Sequence, residues 1–249
     1  MVFLSAMAKA RKNRGKARSG LLDRLARAIR RVLRWGVLGG LVLLGVLLAW
    51  VALYRLVDPP GGIYMWQEMR RLGAIEREWV PIEGIAPVMA RSVVAAEDAN
   101  FCRHWGFDMA AIRAALDAGA GRGASTISQQ VVKNVFLWHG RSWLRKALEG
   151  VMTPMVETLW SKRRILEVYL NVAEFGTGIF GVEAAGQSHF GQAAADLTPR
   201  QSALLAAVLP APQDRDAARP TAFVSGRANA IADGAATIAR DGRAACFDG

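Results

Sequence analysis

Four stretches of the sequence combine acids, bases and amides at spacings that could support catalysis. The first, residues 97–108, holds Glu97, Asp98 and His104 together with aromatic residues. Apolar residues upstream recur at helical spacing and place both acids at the carboxyl end of a helix. A helix C-terminus disfavours carboxylates and increases their affinity for a proton, as a general base near neutral pH requires. A solvated loop in which Asp108 only caps the next helix would explain the same features.

The second stretch, residues 119–130, is a glycine-rich loop that leads into a helix N-terminus. Thr126 and Gln129 match a capping box that opens a helix from Ile127 to Leu137. Free backbone N–H groups at such an end can bind an anion, and Lys133 lies further along the same helix. An ordinary helix cap without a ligand is the simpler interpretation of this stretch taken alone.

The third stretch places Arg145, Lys146 and Glu149 at i, i+1 and i+4, so the acid neighbours both bases on one helical face. An ion-paired surface face would look the same and would contribute little to stability. The fourth stretch, residues 162–171, begins a helix with basic residues, although a helix N-terminus favours acids. This placement suggests a reason for the charges outside the helix itself.

The elements that must position these stretches are mainly helical. Helical patterns dominate after residue 58, and about 190 residues fit one compact domain. The best strand signal covers residues 78–82 and is broken by Pro81. Apolar residues at helical spacing also predict a helix from Met109 to Ala118. We therefore expect a mainly α domain over residues 58–249.

The N-terminal region indicates a membrane anchor. Residues 1–34 hold eleven Lys or Arg against one acid, and residues 35–54 carry no charge. Twenty helical residues span roughly 30 Å, the thickness of a bilayer core. The sequence therefore predicts a cytoplasmic basic tail over 1–34, an anchor over 35–57 and an outer domain beyond it.

Two alternatives for this region fit less well. A cleaved signal peptide would have a shorter apolar run and an A-x-A site, which does not follow. Nucleic-acid binding is not expected, because residues 35–249 have a net charge of only +1 and the basic tail adjoins the membrane span.

Taken together, the four stretches resemble the monofunctional biosynthetic peptidoglycan transglycosylases, the glycosyltransferase family that also supplies the polymerase domain of bifunctional penicillin-binding proteins. The motif E-D-x-x-F-x-x-H-x-G is matched by Glu97, Asp98, Phe101, His104 and Gly106. The motif G-[GA]-S-T-[ILV]-[TS]-Q-Q is matched by residues 123–130. The motif R-K-x-x-E is matched by Arg145, Lys146 and Glu149, and R-I-L-E-x-Y-L-N by residues 164–171. The resemblance covers about residues 80–210.

The resemblance implies a lysozyme-like fold and a membrane-bound polymerase of lipid-linked peptidoglycan precursors. The donor would be a glycan chain on undecaprenyl diphosphate, and the acceptor would be the disaccharide-pentapeptide precursor lipid II. Glu97 would be the base, with Lys146 and Glu149 completing the catalytic group, although Glu149 more simply orients the two bases. The expected substrate-binding residues are Asp98, Phe101, His104, Ser125, Thr126, Gln129, Gln130, Lys133, Asn134, Arg145 and Arg164. Glu167 and Asn171 are expected to be structural supports.

The resemblance also implies an inner-membrane protein with one span, a cytoplasmic N-terminus and a periplasmic catalytic domain that works with other proteins of cell-wall synthesis. No cofactor is required, although a divalent cation could stimulate at the substrate diphosphate. No metal site is expected, because His104, His139 and His189 lack ligand spacing. Two other functions remain open at this stage. They are a lytic transglycosylase or hydrolase on the same fold, and an inactive glycan-binding scaffold.

Two further expectations concern the outer domain. Cys102 and Cys246 are the only cysteines, and an even count in an oxidising compartment permits a disulfide between them. Because the implied substrates diffuse in the bilayer, the cleft should open near the membrane, with Ile63, Met65 and Trp66 close to the interface.

Overall fold

The computed structural model describes residues 2–117, 119, 125–140 and 142–248, with side chains from residue 27 onward. Within these ranges the α-helices are α1 (Val2–Leu56), α2 (Ile63–Leu72), α3 (Pro87–Glu97), α4 (Met109–Asp117), α5 (Ile127–Phe136), α6 (Trp143–Leu159), α7 (Lys162–Val172), α8 (Val182–Phe190), α9 (Pro199–Val208) and α10 (Ala222–Arg240). Three short strands, β1 (Glu76–Arg77), β2 (Glu174–Gly176) and β3 (Ile179–Phe180), form a sheet in the order β1-β3-β2. The predicted mainly α fold is confirmed.

The chain divides into two compact units, one ending at Trp50 and the other beginning at Val51. Residues Arg27–Leu56 form a helix that is long and apolar enough to cross a membrane. This helix includes residues 35–56 of the predicted anchor, which was expected to end at residue 57.

The second unit starts seven residues before the predicted boundary at residue 58. Val51 is fully buried, and its carbonyl oxygen accepts a hydrogen bond from the Trp160 indole at 2.8 Å. The Tyr54 ring packs against Phe136, with ring centres 5.7 Å apart. The last turns of α1 therefore belong to the folded domain.

The core of this domain consists of two packed groups of helices. In one group α10 packs on α9 and α3, and α3 packs on α9. In the other, α5 packs on α6 and α7. The helices meet through fully buried apolar side chains, which include Val93 of α3, Val131 of α5, Leu166 of α7 and Leu205 of α9. The catalytic motifs lie on the helices of both groups.

The predicted strand at residues 78–82 is wrong. The strand is β1, two residues earlier, which pairs with β3 in parallel. The backbone of Val80 is instead hydrogen-bonded by the Asn171 side chain, which accepts from the N–H at 2.9 Å and donates to the carbonyl at 2.8 Å. Glu167 accepts the N–H of Ile82 at 3.1 Å. Glu167 and Asn171 thus support the segment that precedes α3, and Pro81 has no N–H to add to a sheet.

The helix starts agree closely with the sequence. Asp108 accepts the N–H groups of Ala110 and Ala111, and Thr126 forms the predicted capping box with Gln129. The ends differ slightly, because α5 ends at Phe136 and not at Leu137. The predicted helix end at Ala118 lies outside the described residues.

The disulfide between Cys102 and Cys246 is formed, with Cα atoms 5.7 Å apart. It joins the C-terminal segment to the loop that follows α3. Phe247 packs on the Phe101 ring and its carbonyl accepts a hydrogen bond from Arg163 at 2.7 Å. Three further contacts hold the same segment. Asp248 pairs with Arg91, and Arg243 donates to the carbonyl of Ala99 and pairs with Asp241.

We expect removal of this crosslink to lower the free energy of unfolding. A closed loop of this length contributes about 4 to 5 kcal/mol in the chain-entropy model. Denaturant unfolding of Cys102→Ser/Cys246→Ser should show the loss, with reduced wild type as the matched control. Counting free thiols on the denatured, unreduced wild type should find none, and two reactive thiols would contradict the crosslink.

The helix α2 presents an apolar face to solvent. Ile63, Trp66 and Met69 are exposed, whereas Met65 is buried. Arg70 lies over the Trp66 ring at 4.4 Å. Aromatic and basic residues together are typical of segments at a lipid headgroup layer.

We therefore expect residues 51–249, without the preceding span, to bind liposomes through α2. The deletion begins at Val51 because a cut at residue 57 would remove buried parts of the domain. Co-sedimentation with anionic liposomes should fall when Ile63 and Trp66 are both changed to Ser. Equal sedimentation of the two proteins would rule out this face.

Candidate active site

Glu97 is the last residue of α3, and its side chain is 14% exposed. Its Oε2 atom accepts a hydrogen bond from the Gln130 amide at 2.9 Å, and its Oε1 atom lies 3.9 Å from Arg227. Three helices, α3, α5 and α10, therefore hold the carboxylate. It lines a depression of about 270 Å³ together with Asn100 and Ser125. This is the placement that the sequence predicts for a base reached by a substrate.

Asp98 and His104 pair with each other and organise the loop. The Asp98 carboxylate is buried, with one oxygen 2.7 Å from His104 Nε2 and the other accepting the Ile127 N–H at 3.0 Å. Asp98 thereby joins the first motif to the N-terminus of α5. Each carboxylate oxygen of Asp98 has a protein partner, and the substrate contacts predicted for Asp98 and His104 stay predictions.

Phe101 is also buried completely, and the substrate contact predicted for it stays a prediction. The ring lies under the Lys162 ammonium at 4.4 Å and against Phe247. Lys162 also pairs with Glu157 at 2.7 Å. The aromatic residue of the first motif therefore anchors the loop to α7 and to the C-terminal segment.

The second motif divides into buried and accessible residues. Thr126 donates to the carbonyl of Gly106 at 2.7 Å, and Gln129 donates to Glu149 at 3.3 Å, so both are held inside the protein. Ser125 is exposed at the Glu97 depression. Residues 120–124 of the predicted loop lie outside the described residues. Of the predicted substrate contacts in this motif, the exposed side chain is that of Ser125.

A second cavity of about 380 Å³ adjoins Glu97 through Gln130, which lines it. Lys133 and Asn134 line the same cavity, and Asn134 accepts a hydrogen bond from His139 at 3.0 Å. Lys133 has no hydrogen-bond or ion-pair partner among the residues that the structure describes. Burial lowers the pKa of Lys133 below its usual range, while nearby Glu149 opposes that shift. An ammonium placed in this way can be stabilised by an anionic ligand.

The third motif forms a buried ion cluster. Glu149 is 3% exposed, and its carboxylate accepts hydrogen bonds from Arg145 at 2.7 Å, from Lys146 and from Gln129. Both oxygens accept hydrogen bonds, an arrangement that orients the two cations, and the catalytic role predicted for Glu149 stays a prediction. The Lys146 side chain is 49% exposed and lines a depression of about 330 Å³ with Arg145 and Trp143.

Arg164 does not join this group. Its guanidinium donates to the carbonyls of Tyr54 and Val57, and it pairs with Asp58 at 2.9 Å and with Glu167. These contacts tie α7 to the end of α1. Arg164 therefore has a structural role, and the substrate contact predicted for it stays a prediction.

Several residues of the site carry no sequence signal that predicts them. Tyr64, His139, Glu174 and Gln213 form one wall of the larger cavity. Tyr64 stacks on His139 with ring centres 3.7 Å apart and donates to Glu174 at 2.7 Å. Gln213 donates to the Tyr64 hydroxyl at 3.0 Å. The wall is assembled from four separate segments, which spacing along the chain does not reveal.

His139 makes the stability of the domain depend on pH. Burial, followed by the charges of Lys133 and Arg145, lowers the pKa of His139 from 6.5 to about 4. The unfolded chain therefore takes up this proton first as the pH falls. The stabilising contribution is complete above pH 6.5 and is lost between pH 6.5 and about 4.

As the pH falls through this interval, we expect the melting temperature of His139→Phe to fall less steeply than that of wild type. The phenylalanine keeps a ring against Tyr64 but cannot be protonated. The comparison is made with wild type by differential scanning fluorimetry at closely spaced pH values. Parallel curves for the two proteins would show that His139 does not contribute.

Comparison with known proteins agrees with this arrangement. A family model described as Transglycosylase matches residues 66–236. A protein named biosynthetic peptidoglycan transglycosylase from Jannaschia sp. (strain CCS1) is 62% identical over 96% of this chain and 97% of its own length. Proteins of the same name from Rhodospirillum centenum and Pseudomonas putida (strain F1) are 49% and 46% identical over 91% and 85% of this chain and 98% and 91% of their own lengths.

The family has a lysozyme-like fold and glycosyltransferase activity, and both apply to this protein. The apolar N-terminal helix is consistent with a membrane-anchored member. On its motifs, its fold and its relatives, the chain belongs to the peptidoglycan transglycosylase family.

Proposed function

We propose that the protein polymerises glycan chains from lipid II and releases undecaprenyl diphosphate with inversion at the anomeric carbon. The observation that carries the proposal is the proximity of one accessible carboxylate to a group of cations. Glu97 is linked through Gln130 to the cavity that holds Lys133, and Lys133 interacts electrostatically with Glu97, Arg145 and Lys146.

In this reaction Glu97 takes the proton from the 4-hydroxyl of the acceptor sugar. The hydroxyl oxygen forms a bond to the anomeric carbon of the donor while the bond from that carbon to the phosphate oxygen breaks. The electron pair of the broken bond goes to the diphosphate, and attack from the opposite side inverts the centre. A base at the attacking oxygen and positive charge at the leaving group are the two requirements of this chemistry.

The cations meet the second requirement. Lys133 and Lys146 face cavities, and the buried Glu149 fixes the geometry of Arg145 and Lys146. Preorganised positive charge is more effective in a partly dry site than in water. In this proposal the protein needs no metal cofactor, and a divalent cation on the substrate diphosphate would add to the same stabilisation.

We also propose that α1 holds the domain at the outer face of the inner membrane, with the basic tail in the cytoplasm. Positive-inside orientation supports this topology, and a lipid-linked substrate requires a site near the bilayer. Partner proteins of cell-wall synthesis would meet the enzyme on that side.

A lytic transglycosylase or hydrolase is the rival function on this fold. Such an enzyme uses its acid to protonate a glycosidic oxygen, and it does not need a set of cations for a diphosphate. Two features favour the polymerase: Lys133, which has no ion-pair partner in the described part of the chain, and the Glu149 cluster.

One experiment separates the possible functions. The purified full-length protein is incubated in detergent with labelled lipid II, and in parallel with preformed glycan strands. We expect lysozyme-sensitive polymer from lipid II and no cleavage of the strands. Cleaved strands without polymer would indicate a hydrolase, and neither product would indicate a scaffold.

A further inference from the structure

We infer that Tyr169 is a positioning residue for the general base: its hydroxyl orients the Gln130 amide, which holds one oxygen of Glu97. The inference rests on the proposed function, in which Glu97 is the base. Tyr169 is not among the predicted site residues, and Gln130 is predicted there only as a substrate contact.

The three side chains form a continuous hydrogen-bonded relay across three helices. The Tyr169 hydroxyl on α7 lies 3.1 Å from Gln130 Oε1 on α5. The Gln130 Nε2 atom lies 2.9 Å from Glu97 Oε2 at the end of α3. Tyr169 is 1% exposed, and α5 packs on α7, so the end of the relay that is farthest from Glu97 is fixed in the core.

The direction of each hydrogen bond follows from the chemistry of the groups. A carboxylate only accepts, so the amide must turn its NH₂ group to Glu97. The amide oxygen then faces Tyr169, which must donate its hydroxyl proton. Burial, and then the negative charges of Glu97 and Asp98, raise the pKa of Tyr169 well above its usual range. The phenol therefore keeps the proton that the relay needs.

The relay makes the two oxygens of Glu97 unequal. Oε2 is held by Gln130, whereas Oε1 accepts no hydrogen bond from any residue that the structure describes. Among the residues with a described position, Arg227 is the cation nearest to Oε1, at 3.9 Å. Oε1 is thus the oxygen that accepts the substrate proton, and the relay sets the direction in which it points. Small errors in the orientation of a base are costly to rate.

The relay should therefore affect turnover more than binding. Tyr169→Phe keeps the buried ring and removes only the hydroxyl, so Gln130 is free to rotate. We expect kcat for lipid II polymerisation to fall about 3- to 30-fold while KM stays within about twofold, as for loss of one orienting hydrogen bond. Tyr54→Phe, the same change outside the site, serves as the matched control and should leave both constants unchanged.

Coupling to Glu97 distinguishes positioning from a general structural effect. In a Glu97→Gln background, Tyr169→Phe should change the residual rate by less than about twofold, because there is no base left to orient. In a Gln130→Met background it should also add nothing. A full further loss in either background would overturn the inference.

The outcomes also separate this inference from the proposed function. If Glu97→Gln is inactive and folded Tyr169→Phe has wild-type kcat, only the relay is wrong. If Glu97→Gln remains active, the proposed base itself is wrong. A rise in KM at unchanged kcat would make Tyr169 a substrate contact. If Tyr169→Phe does not fold, Gln130→Met decides: lowered kcat at unchanged KM supports the relay, and kcat within about twofold of wild type overturns it.

Discussion

Glu97→Gln is expected to lower the rate of lipid II polymerisation by about 100- to 10,000-fold, the usual contribution of a positioned general base. The substitution is nearly isosteric, and the new amide can still accept a hydrogen bond from Gln130 through its oxygen. It cannot accept the proton of the attacking hydroxyl. Initial rates with labelled lipid II, measured on the full-length protein, provide the test.

Controls for this variant separate chemistry from binding and folding. Binding of the lipid diphosphate should persist, because the cations belong to other motifs. Glu78→Gln removes the same charge from an exposed carboxylate and should leave the rate unchanged. If Glu97→Gln retains more than about a tenth of the wild-type rate, the general-base assignment is wrong.

Lys133→Met should lower turnover by about 100- to 1,000-fold, the range found when one preorganised charge-stabilising donor is removed. Methionine keeps most of the apolar length of lysine but loses the ammonium. Among the cations, Lys133 is expected to give the largest loss of turnover when it is replaced, because Arg145 and Lys146 are already paired with Glu149. The folded protein loses an ammonium whose burial is unfavourable, so its melting temperature should not fall.

Two further variants sharpen this test. Lys133→Arg keeps the charge and should recover part of the lost rate. Lys162→Met removes a lysine that is paired with Glu157, so it should lower the melting temperature and spare the rate of the folded protein. A wild-type rate for Lys133→Met, or a large loss of its stability, would assign Lys133 to folding.

The parts of the fold that depend on neighbours in the chain were predictable from the sequence. Thr126 with Gln129, and Asp108, cap helices through contacts within three residues, and those starts were predicted correctly. The position of Glu97 at a helix end follows from the same local pattern. Arg145, Lys146 and Glu149 pair as their spacing indicates.

Roles that depend on distant partners could not be predicted. Arg164 binds carbonyl oxygens more than a hundred positions away, and nothing in its motif indicates that choice. Asp98, which directly follows α3, accepts a hydrogen bond from the first N–H of α5. The first two motifs, which look independent in the sequence, therefore form one structural unit. A motif shows which residue types belong together, but burial decides which of them a substrate can reach.

The C-terminal segment is synthesised last, and the clamp that it forms supports the loop that follows the proposed catalytic base. Residues 243–248 provide the disulfide, the Phe247 packing and the ion pair to Arg91 that brace the loop after Glu97. Cys246 lies 144 positions after Cys102 and must therefore be synthesised before that loop is complete. A ribosome-bound or prematurely terminated chain would carry every catalytic motif and still lack the brace.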